Sequence, residues 1–174
     1  PPYPPVPTRD QGGQLMWTVM QSPVGDLRLV ERDGQITAIE FAPFPVGDGR
    51  PRGERADDHP VLRAAREQLT AYFAKERTDF DLPLAPDGTD FQQRVWAQLR
   101  AIGYGETLSY GQVATQLGMT NAASRAVGLA NGRNPIPIVI PCHRVIGAKG
   151  ALTGYAGGIE RKQILLDLEQ GALF

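Results

Sequence analysis

The chain changes character at the turn-forming run Ala85-Pro86-Asp87-Gly88, and this change constrains the fold more than any other feature. Strand signals and one helical pattern precede the run, whereas helical periodicity dominates after it. Strands gathered in one part and helices in the other are typical of an α+β protein. We therefore predict a flexible Pro-rich tail over residues 1–14, a first domain over 15–85, a linker over 86–90 and a second domain over 91–174.

The first domain is predicted to be a small sheet with one helix. Turn signals at residues 23–26 and at Asp33-Gly34 separate runs in which apolar and polar residues alternate, which favours antiparallel strands. A polar loop should follow over residues 44–58, and a helix should begin near Pro60. The segment FDLPL, residues 80–84, indicates one more short strand. The apolar residues of the alternating runs are Leu27, Leu29, Ile36 and Ile39.

The second domain is predicted to be mainly helical. FQQRVWAQLRAI, residues 91–102, is amphipathic, and a further helix is expected to close the domain over residues 159–168. Between them, Ser109 can cap one short helix, and Thr120 or Asn121 can cap a second that runs to about residue 130. Two short helices joined by a tight turn with glycine are typical of a helix-turn-helix, although such pairs also occur in packed cores.

Charge and cysteine content narrow the functional classes. Residues 1–90 carry 10 basic and 15 acidic residues, whereas residues 91–174 carry 8 and 4, so only the second part is suited to a polyanion. The single cysteine excludes an internal disulfide and a zinc site built from several thiolates. Because no leader and no membrane-length apolar run is present, we expect a cytoplasmic protein without a membrane partner.

That single cysteine, Cys142, lies in the segment PIPIVIPCHRVIG. Residues 138–140 are predicted to form a buried strand or extended segment that Pro141 ends, since proline has no N–H for a ladder. A lone cysteine often serves as a small buried hydrophobe. The neighbours His143 and Arg144 favour a nucleophile instead, because the thiolate is the reactive form and a base or positive charge promotes it.

A nucleophile–histidine pair usually needs a third group that orients the histidine. The acids of the second domain are Glu106, Glu160, Asp167 and Glu169, and the residues alone do not choose among them. Asn134 is a further candidate, able to tie the approach to Cys142 to the turn that follows it.

Arg125 stands among small residues in the second helix of the predicted pair. A helix with a small face can approach another surface closely, and no partner for this arginine is evident in the sequence. The small residues of that face are Ala122, Ala123, Ala126 and Gly128.

The segment PIPIVIPCHRVIG, together with SYGQVA, SRAVG, RNP, GYAGG and LLDLE in this order, resembles the O6-alkylguanine-DNA alkyltransferases, also called methylated-DNA–protein-cysteine methyltransferases. The resemblance covers residues 90–170. The first domain resembles that of the family only in general layout, which implies a ribonuclease H-like sheet-plus-helix domain. The family fold is then α+β, with a helix-turn-helix in a mainly helical second domain.

By this resemblance, the reaction is irreversible transfer of an alkyl group from guanine O6 to Cys142. His143 acts through a water molecule as the base for the thiol, Glu169 orients His143, and Asn134 holds the active-site turn together. The product is a thioether that nothing in the site can hydrolyse, so each molecule reacts once. The resemblance implies no cofactor, and because the chain lacks the cysteines of the zinc site in vertebrate members, we expect no metal.

The resemblance also implies how DNA is held. The partner is double-stranded DNA with O6-alkylguanine, entered from the minor groove by a monomer, and O4-alkylthymine is left open as a second substrate. Arg125 enters the base stack in place of the flipped base, while Ala123, Ala126 and Gly128 let the helix lie close to the DNA. The guanine pocket is assigned to Tyr110, Val145 and the carbonyl of Cys142, and to Tyr155 and Ala156, where alanine replaces a frequent serine.

Two other interpretations remain open at this point. A protein that binds alkylation damage without catalysis would keep its affinity for alkylated duplex after Cys142→Ala and transfer nothing. A cysteine hydrolase would release many product molecules per chain and would not need Arg125. The number of reaction events per chain separates these from the alkyltransferase.

Overall fold

The computed structural model describes residues 13–45, 53–155 and 157–171. The chain divides between Pro86 and Asp87 into two compact units. Twelve of the fourteen residues assigned to the N-terminal tail lie outside the described residues, as does Ala156. Within the described ranges, no helix combines the length and the apolar character that crossing a membrane requires.

The first unit contains a four-stranded sheet in the order β3-β2-β1-β4, formed by β1 (Met16–Met20), β2 (Leu27–Arg32), β3 (Gln35–Phe41) and β4 (Glu54–Arg55). The predicted turn at Asp33-Gly34 joins β2 to β3, with φ of 53° and 79°. Two consecutive positive φ values suit the twist of a hairpin, which explains the Asp-Gly pair.

Two predictions for this sheet are wrong. The sheet is not wholly antiparallel, because β4 pairs in parallel with β1 and lies inside the segment predicted to be a polar loop. The expected strand over residues 80–84 is reduced to a single bridge between Leu84 and Ile36. Pro83 offers a carbonyl to Ile36 N–H but has no N–H of its own, so a longer ladder cannot form there.

The helix α1 (Pro60–Phe73) begins at the predicted residue. Proline is favoured at the first helical position, and Nδ1 of His59 accepts a hydrogen bond from Val61 N–H at 3.3 Å. The helix contacts the strands of the sheet with its apolar face, which forms the core of the unit. The core side chains of helix and sheet include Leu27, Leu29, Ile36, Ile39, Val61, Leu62, Ala65, Leu69 and Tyr72.

The second unit is mainly helical, as predicted, so the α+β class is confirmed. Its helices are α2 (Asp90–Leu99), α3 (Tyr110–Gln116), α4 (Ser124–Gly132) and α5 (Ile159–Glu169). A short parallel ladder joins β5 (Leu108–Ser109) to β6 (Val145–Ile146). This ladder links the start of α3 to the segment that carries the cysteine.

The predicted pair of short helices corresponds to α3 and α4. Ser109 caps α3 through a reciprocal capping box with Gln112, and Gly118 with φ of 78° follows the end of this helix. The second helix differs from its prediction, because a 3-10 turn over Asn121–Ala123 precedes α4. Thr120 or Asn121 was expected to cap this helix. The side-chain hydrogen bond at its start comes from Ser124 instead, whose Oγ donates to the carbonyl of Asn121.

The predicted buried strand before the cysteine is also wrong. Residues 136–140 are buried but form a compact turn, in which Ile140 N–H donates to the carbonyl of Ile136 at 2.9 Å. Ile138 adopts φ of 74°, which is unfavourable for a β-branched residue. The prolines at positions 135, 137 and 141 supply no ladder N–H, which accounts for the absence of a strand.

Candidate functional site

Cys142 begins a 3-10 turn, Cys142–Arg144, directly after the compact turn. Its N–H donates to the carbonyl of Ile140 at 2.8 Å, and its residue surface is only 4% exposed. Asn131, on α4, donates from Nδ2 to the carbonyl of Cys142 at 3.3 Å. The thiol is therefore fixed by backbone contacts on a turn that a helix supports from one side.

Asn134 ties this compact turn together. Its Nδ2 donates to the carbonyl of Ile140 at 2.8 Å, and its Oδ1 accepts from Ile136 N–H at 3.0 Å. Both bonds are buried and close a ring around Ile138. The sequence predicted a tie to the turn after Cys142, whereas both bonds observed here hold the segment before Cys142.

The acid beside His143 is Glu169. His143 Nε2 lies 2.6 Å from Glu169 Oε2, and both side chains are almost fully buried. Glu169 comes from the last residue of α5, which brings the end of the closing helix to the cysteine turn. Of the four acids in the second domain, this is the one that pairs with the histidine.

Arg144 contacts the same carboxylate. Its Nε donates to Glu169 Oε1 at 2.7 Å and its NH2 group donates to Oε2 at 3.0 Å. A third bond runs from NH1 to the carbonyl of Ile102 at 2.6 Å, and the guanidinium lies over the Tyr104 ring. Arg144, the positive residue that the sequence places near the thiol, thus forms its ion pair with Glu169.

Burial determines the protonation state of His143 in its pair with Glu169. Burial is the main cause that lowers the pKa of His143 from 6.5, while the contact with Glu169 acts in the opposite direction. Nδ1 of His143 has no hydrogen-bond partner among the residues that the structure describes. A neutral ring with its proton on Nε2 would leave Nδ1 able to accept a proton.

Burial also decides the state of the thiol. It raises the pKa of Cys142 from 9.0 to about 11, although Asn134 and the charge of Lys162 act to lower it. The thiol is therefore protonated at neutral pH in the free protein. A nucleophilic role requires a base, since the thiol is a weak nucleophile compared with the thiolate.

Lys162 was missed by the sequence reasoning. It lies on α5, is fully buried, and donates from Nζ to the carbonyls of Val145 at 2.6 Å and Thr153 at 3.0 Å. Burial lowers its pKa, and within the described ranges it forms no ion pair with a carboxylate. A signal was present, because Lys162, Leu165, Leu166 and Glu169 share the buried face of α5 at spacings of three, four and seven residues.

The residues assigned to the guanine pocket are only partly brought together. The Tyr110 hydroxyl lies 3.0 Å from Thr153 Oγ1, and Lys162 holds the carbonyl of the same threonine. Tyr155 is buried in the loop that follows, and Ala156 lies outside the described residues. The carbonyl of Val145 accepts a hydrogen bond from Lys162, and the carbonyl of Cys142 accepts two, from Asn131 and from the N–H of Val145.

The α4 face lies at the surface beside Tyr110. Arg125 and Ala126 are exposed, and the Arg125 side chain makes no hydrogen bond or ion pair with any part of the chain that the structure describes. Ala123 and Gly128 are half-buried. A Cβ added to Gly128 would lie 3.6 Å from Cδ1 of Tyr110, so the helix backbone runs close to that ring. Arg125 is not part of the buried cluster around Cys142.

Among the described residues, no group of three or more His, Cys, Asp or Glu side chains is placed to hold a metal ion. The titratable groups that the structure brings together at the site are the thiol, the imidazole, the carboxylate and two buried cations. This set can perform proton transfer and a nucleophilic displacement in which the sulfur attacks carbon.

Two family models match the chain. The model described as 6-O-methylguanine DNA methyltransferase, ribonuclease-like domain, matches residues 15–86, and the DNA binding domain of the same family matches residues 90–171. The chain belongs to the 6-O-methylguanine DNA methyltransferase family. The resemblance found in the sequence is thereby confirmed, and it extends to the first domain.

Individual relatives agree with this membership. The methylated-DNA–protein-cysteine methyltransferase of Mycobacterium tuberculosis is 50% identical over 156 residues, which cover 90% of this chain and 93% of that protein. The crystal structure of M. tuberculosis O6-methylguanine methyltransferase matches with a TM-score of 0.81 and 46% identity, over 92% of this chain and 96% of that one. The M. tuberculosis OGT protein in complex with DNA matches with a TM-score of 0.79 and 47% identity, over 90% and 93%.

Proposed function

We propose that this methyltransferase repairs DNA by direct reversal, moving the alkyl group of O6-alkylguanine irreversibly onto the sulfur of Cys142. The single observation that carries the proposal is the buried arrangement of the thiol next to a histidine that pairs with a carboxylate at 2.6 Å. Curated relatives that share about half of their residues with this chain are named methylated-DNA–protein-cysteine methyltransferases. The interpretation as a non-catalytic damage-binding protein is not favoured.

The proposed reaction begins with the proton of the thiol. His143 accepts it at Nδ1 through a water molecule, while the Nε2 proton stays hydrogen-bonded to Glu169. The sulfur then attacks the alkyl carbon in line with the bond to O6, so that an S–C bond forms as the C–O bond breaks. The electron pair of the C–O bond leaves with guanine, and Tyr110 donates a hydrogen bond to the departing base.

The buried cation Lys162 supports the formation of the thiolate. Desolvation alone would oppose thiolate formation, as the raised pKa of Cys142 indicates. Lys162 places a positive charge in the same buried region, and its bonds to Val145 and Thr153 hold the cysteine turn next to the loop that follows. A fixed charge in a region of low dielectric stabilises developing negative charge more than it would in water.

The stoichiometry follows from the product. The alkylated cysteine is a thioether, and no group of the site can cleave that bond, so one chain repairs one base. The protein thus acts as a stoichiometric reagent. No cofactor takes part in the proposed step, since the leaving group departs with the electrons that it needs.

DNA binding is assigned to the second domain, residues 91–174, with residues 86–90 as the linker to the first. We propose that α4 enters the minor groove and that Arg125 fills the gap left by the flipped guanine, which offsets a flipping cost of roughly a few kcal/mol. The support is the exposed, unpaired side chain of Arg125 on a face of small residues. Those small residues, Ala123, Ala126 and Gly128, allow close approach to the duplex.

The remaining details are part of the same proposal. The carbonyls of Cys142 and Val145 accept from the guanine amino group, and Tyr155 and Ala156 form the wall of the pocket. The protein acts as a monomer in the cytoplasm, on O6-alkylguanine in double-stranded DNA, and O4-alkylthymine is a candidate second substrate. The support for these finer points is the resemblance of the motifs to those of the family.

Titration of the protein with an excess of duplex that contains one O6-methylguanine tests the proposal. The amount of repaired duplex should rise to the amount of protein and then stop, however long the incubation. Continued repair at a constant rate would favour a turnover hydrolase. Binding of the duplex without any repair would favour the damage-binding protein.

A further inference from the structure

The Glu169 carboxylate is shared between two side chains. One oxygen, Oε1, accepts from Nε of Arg144 at 2.7 Å, whereas Oε2 accepts from the NH2 group of Arg144 at 3.0 Å and lies 2.6 Å from His143 Nε2. The arginine thus binds the carboxylate through both oxygens. A bidentate pair of this kind fixes the plane of a carboxylate as well as its position.

The anchoring continues on the other side of the guanidinium. Its NH1 group donates to the carbonyl of Ile102 at 2.6 Å, and its plane lies over the Tyr104 ring, 5.9 Å from the ring centroid. Arg144 is itself buried, with 7% of its side chain exposed. The guanidinium therefore has little freedom, and it holds Glu169 with Oε2 against His143 Nε2.

The charge balance has a consequence for His143. A neutral imidazole, a carboxylate and a guanidinium together carry no net charge, which suits a buried cluster. If Arg144 were absent, the buried carboxylate would keep its contact with the imidazole but lose the positive charge bound to both of its oxygens, and a proton on Nδ1 would then be favoured. A ring already protonated on both nitrogens cannot accept the proton of Cys142.

We infer that Arg144 is a positioning residue for the alkyl transfer, which acts through Glu169 to keep the His143 proton on Nε2 and Nδ1 free as the base. This inference rests on the proposed function, since it concerns the proton of Cys142. The inferred role of Arg144 is to position Glu169 and His143, which is distinct from attack by the thiol and from binding of the DNA.

Other charged groups around His143 do not provide the same effect. Lys162 is the remaining buried cation and bonds to the carbonyls of Val145 and Thr153, without a contact to Glu169. The Cys142 thiol is neutral at physiological pH, and Tyr104 is a neutral phenol whose pKa burial raises further. Arg144 is thus the group whose removal changes the charge that His143 meets through Glu169.

Single-turnover alkyl transfer as a function of pH tests the inference. With saturating duplex, Arg144→Gln should move the acid limb of the rate profile to higher pH, because a proton enters a site that has lost one positive charge. Arg144→Lys keeps the charge but loses the bidentate bond, so its acid limb should stay near that of the wild type while the plateau rate falls roughly tenfold or more. Arg100→Gln removes an exposed arginine of the same domain and should leave the profile unchanged.

The tautomer of His143 gives a second readout that does not depend on activity. The chain has two histidines, so the ¹⁵N imidazole spectrum is simple, and His59 in the first unit serves as an internal reference. The wild type should show an unprotonated Nδ1 for His143 at neutral pH. Both Arg144 variants should change the His143 signals, the glutamine variant toward the doubly protonated ring, and neither should change those of His59.

The outcomes separate the two proposals. If wild-type protein transfers no alkyl group, the proposed function fails. If it transfers the group but both variants keep the wild-type rate profile and His143 signals, only the role of Arg144 is refuted. If Arg144→Gln does not fold, the lysine variant decides, since a plateau rate and His143 signals equal to those of the wild type would overturn the inference.

Discussion

Replacement of Asn134 by alanine should destabilise the protein more than any other single exchange of a buried amide in the site. The exchange removes the bonds to Ile140 and Ile136. The carbonyl of Ile140 keeps its bond from Cys142 N–H, but Ile136 N–H loses its acceptor inside a buried turn. With about 1 kcal/mol for the first bond and 1–3 kcal/mol for the unsatisfied donor, the expected loss is about 2–4 kcal/mol.

Asn131→Ala is the matched control, because it removes the same buried side chain three residues earlier. Asn131 makes one long bond, 3.3 Å, to the carbonyl of Cys142, and its Oδ1 has no partner among the described residues. Its loss should cost about 1 kcal/mol. Both exchanges delete the same side-chain atoms from a buried position, so the difference between the variants reports the hydrogen bonds of the turn.

Thermal unfolding followed by circular dichroism measures the difference. At about 2–4 °C per kcal/mol for a chain of this length, Asn134→Ala should lower the Tm by roughly 5–15 °C and Asn131→Ala by a few degrees. The alkyl-transfer rate should also fall in Asn134→Ala, because Cys142 follows the loosened turn. Equal shifts in both variants would refute the argument that Asn134 closes the turn.

Three further predictions follow from the site. Lys162→Met should raise the pKa of Cys142 further and slow its reaction with iodoacetamide at pH 8 by roughly tenfold, and an unchanged rate would contradict a role of this charge. Arg125→Ala should impair transfer from duplex DNA far more than transfer from free alkylguanine, whereas equal losses would remove the role in base extrusion. Because the pKa of His143 is lowered in the folded state, its contribution to stability is present above about pH 6.5 and is lost as the pH falls below that value. The urea midpoint of the wild type should therefore decrease below about pH 6.5, and the midpoint of His143→Gln should decrease less.

Local signals in the sequence were sufficient for much of the second unit. Ser109 and Gln112 stand at the spacing of a capping box, and that spacing alone defines where α3 begins. Asn134 could be proposed as a tie from its place before Cys142, but its partners, Ile136 and Ile140, depend on the compact turn that the sequence did not predict. The role of Glu169 came from the resemblance, since four acids were equivalent by local criteria.

Other features depend on contacts between distant segments. The parallel pairing of β4 with β1 joins residues almost forty positions apart and has no local signature in Glu54-Arg55. Ile138 at positive φ contradicts its own conformational preference and is held by the bonds of Asn134. The burial of Lys162 and Arg144 could not be predicted from their identity, because charged side chains are usually exposed and these two are held by partners from other segments.

The central claim is that Cys142 receives the alkyl group, and the intact mass of the protein tests it most directly. The protein is incubated with an excess of duplex that carries one O6-methylguanine, in parallel with Cys142→Ser. The account predicts a gain of one methyl group per wild-type chain, never more, and no gain in the variant. An unchanged mass of the wild type with the duplex still bound, or a methyl group gained by the serine variant, would contradict it.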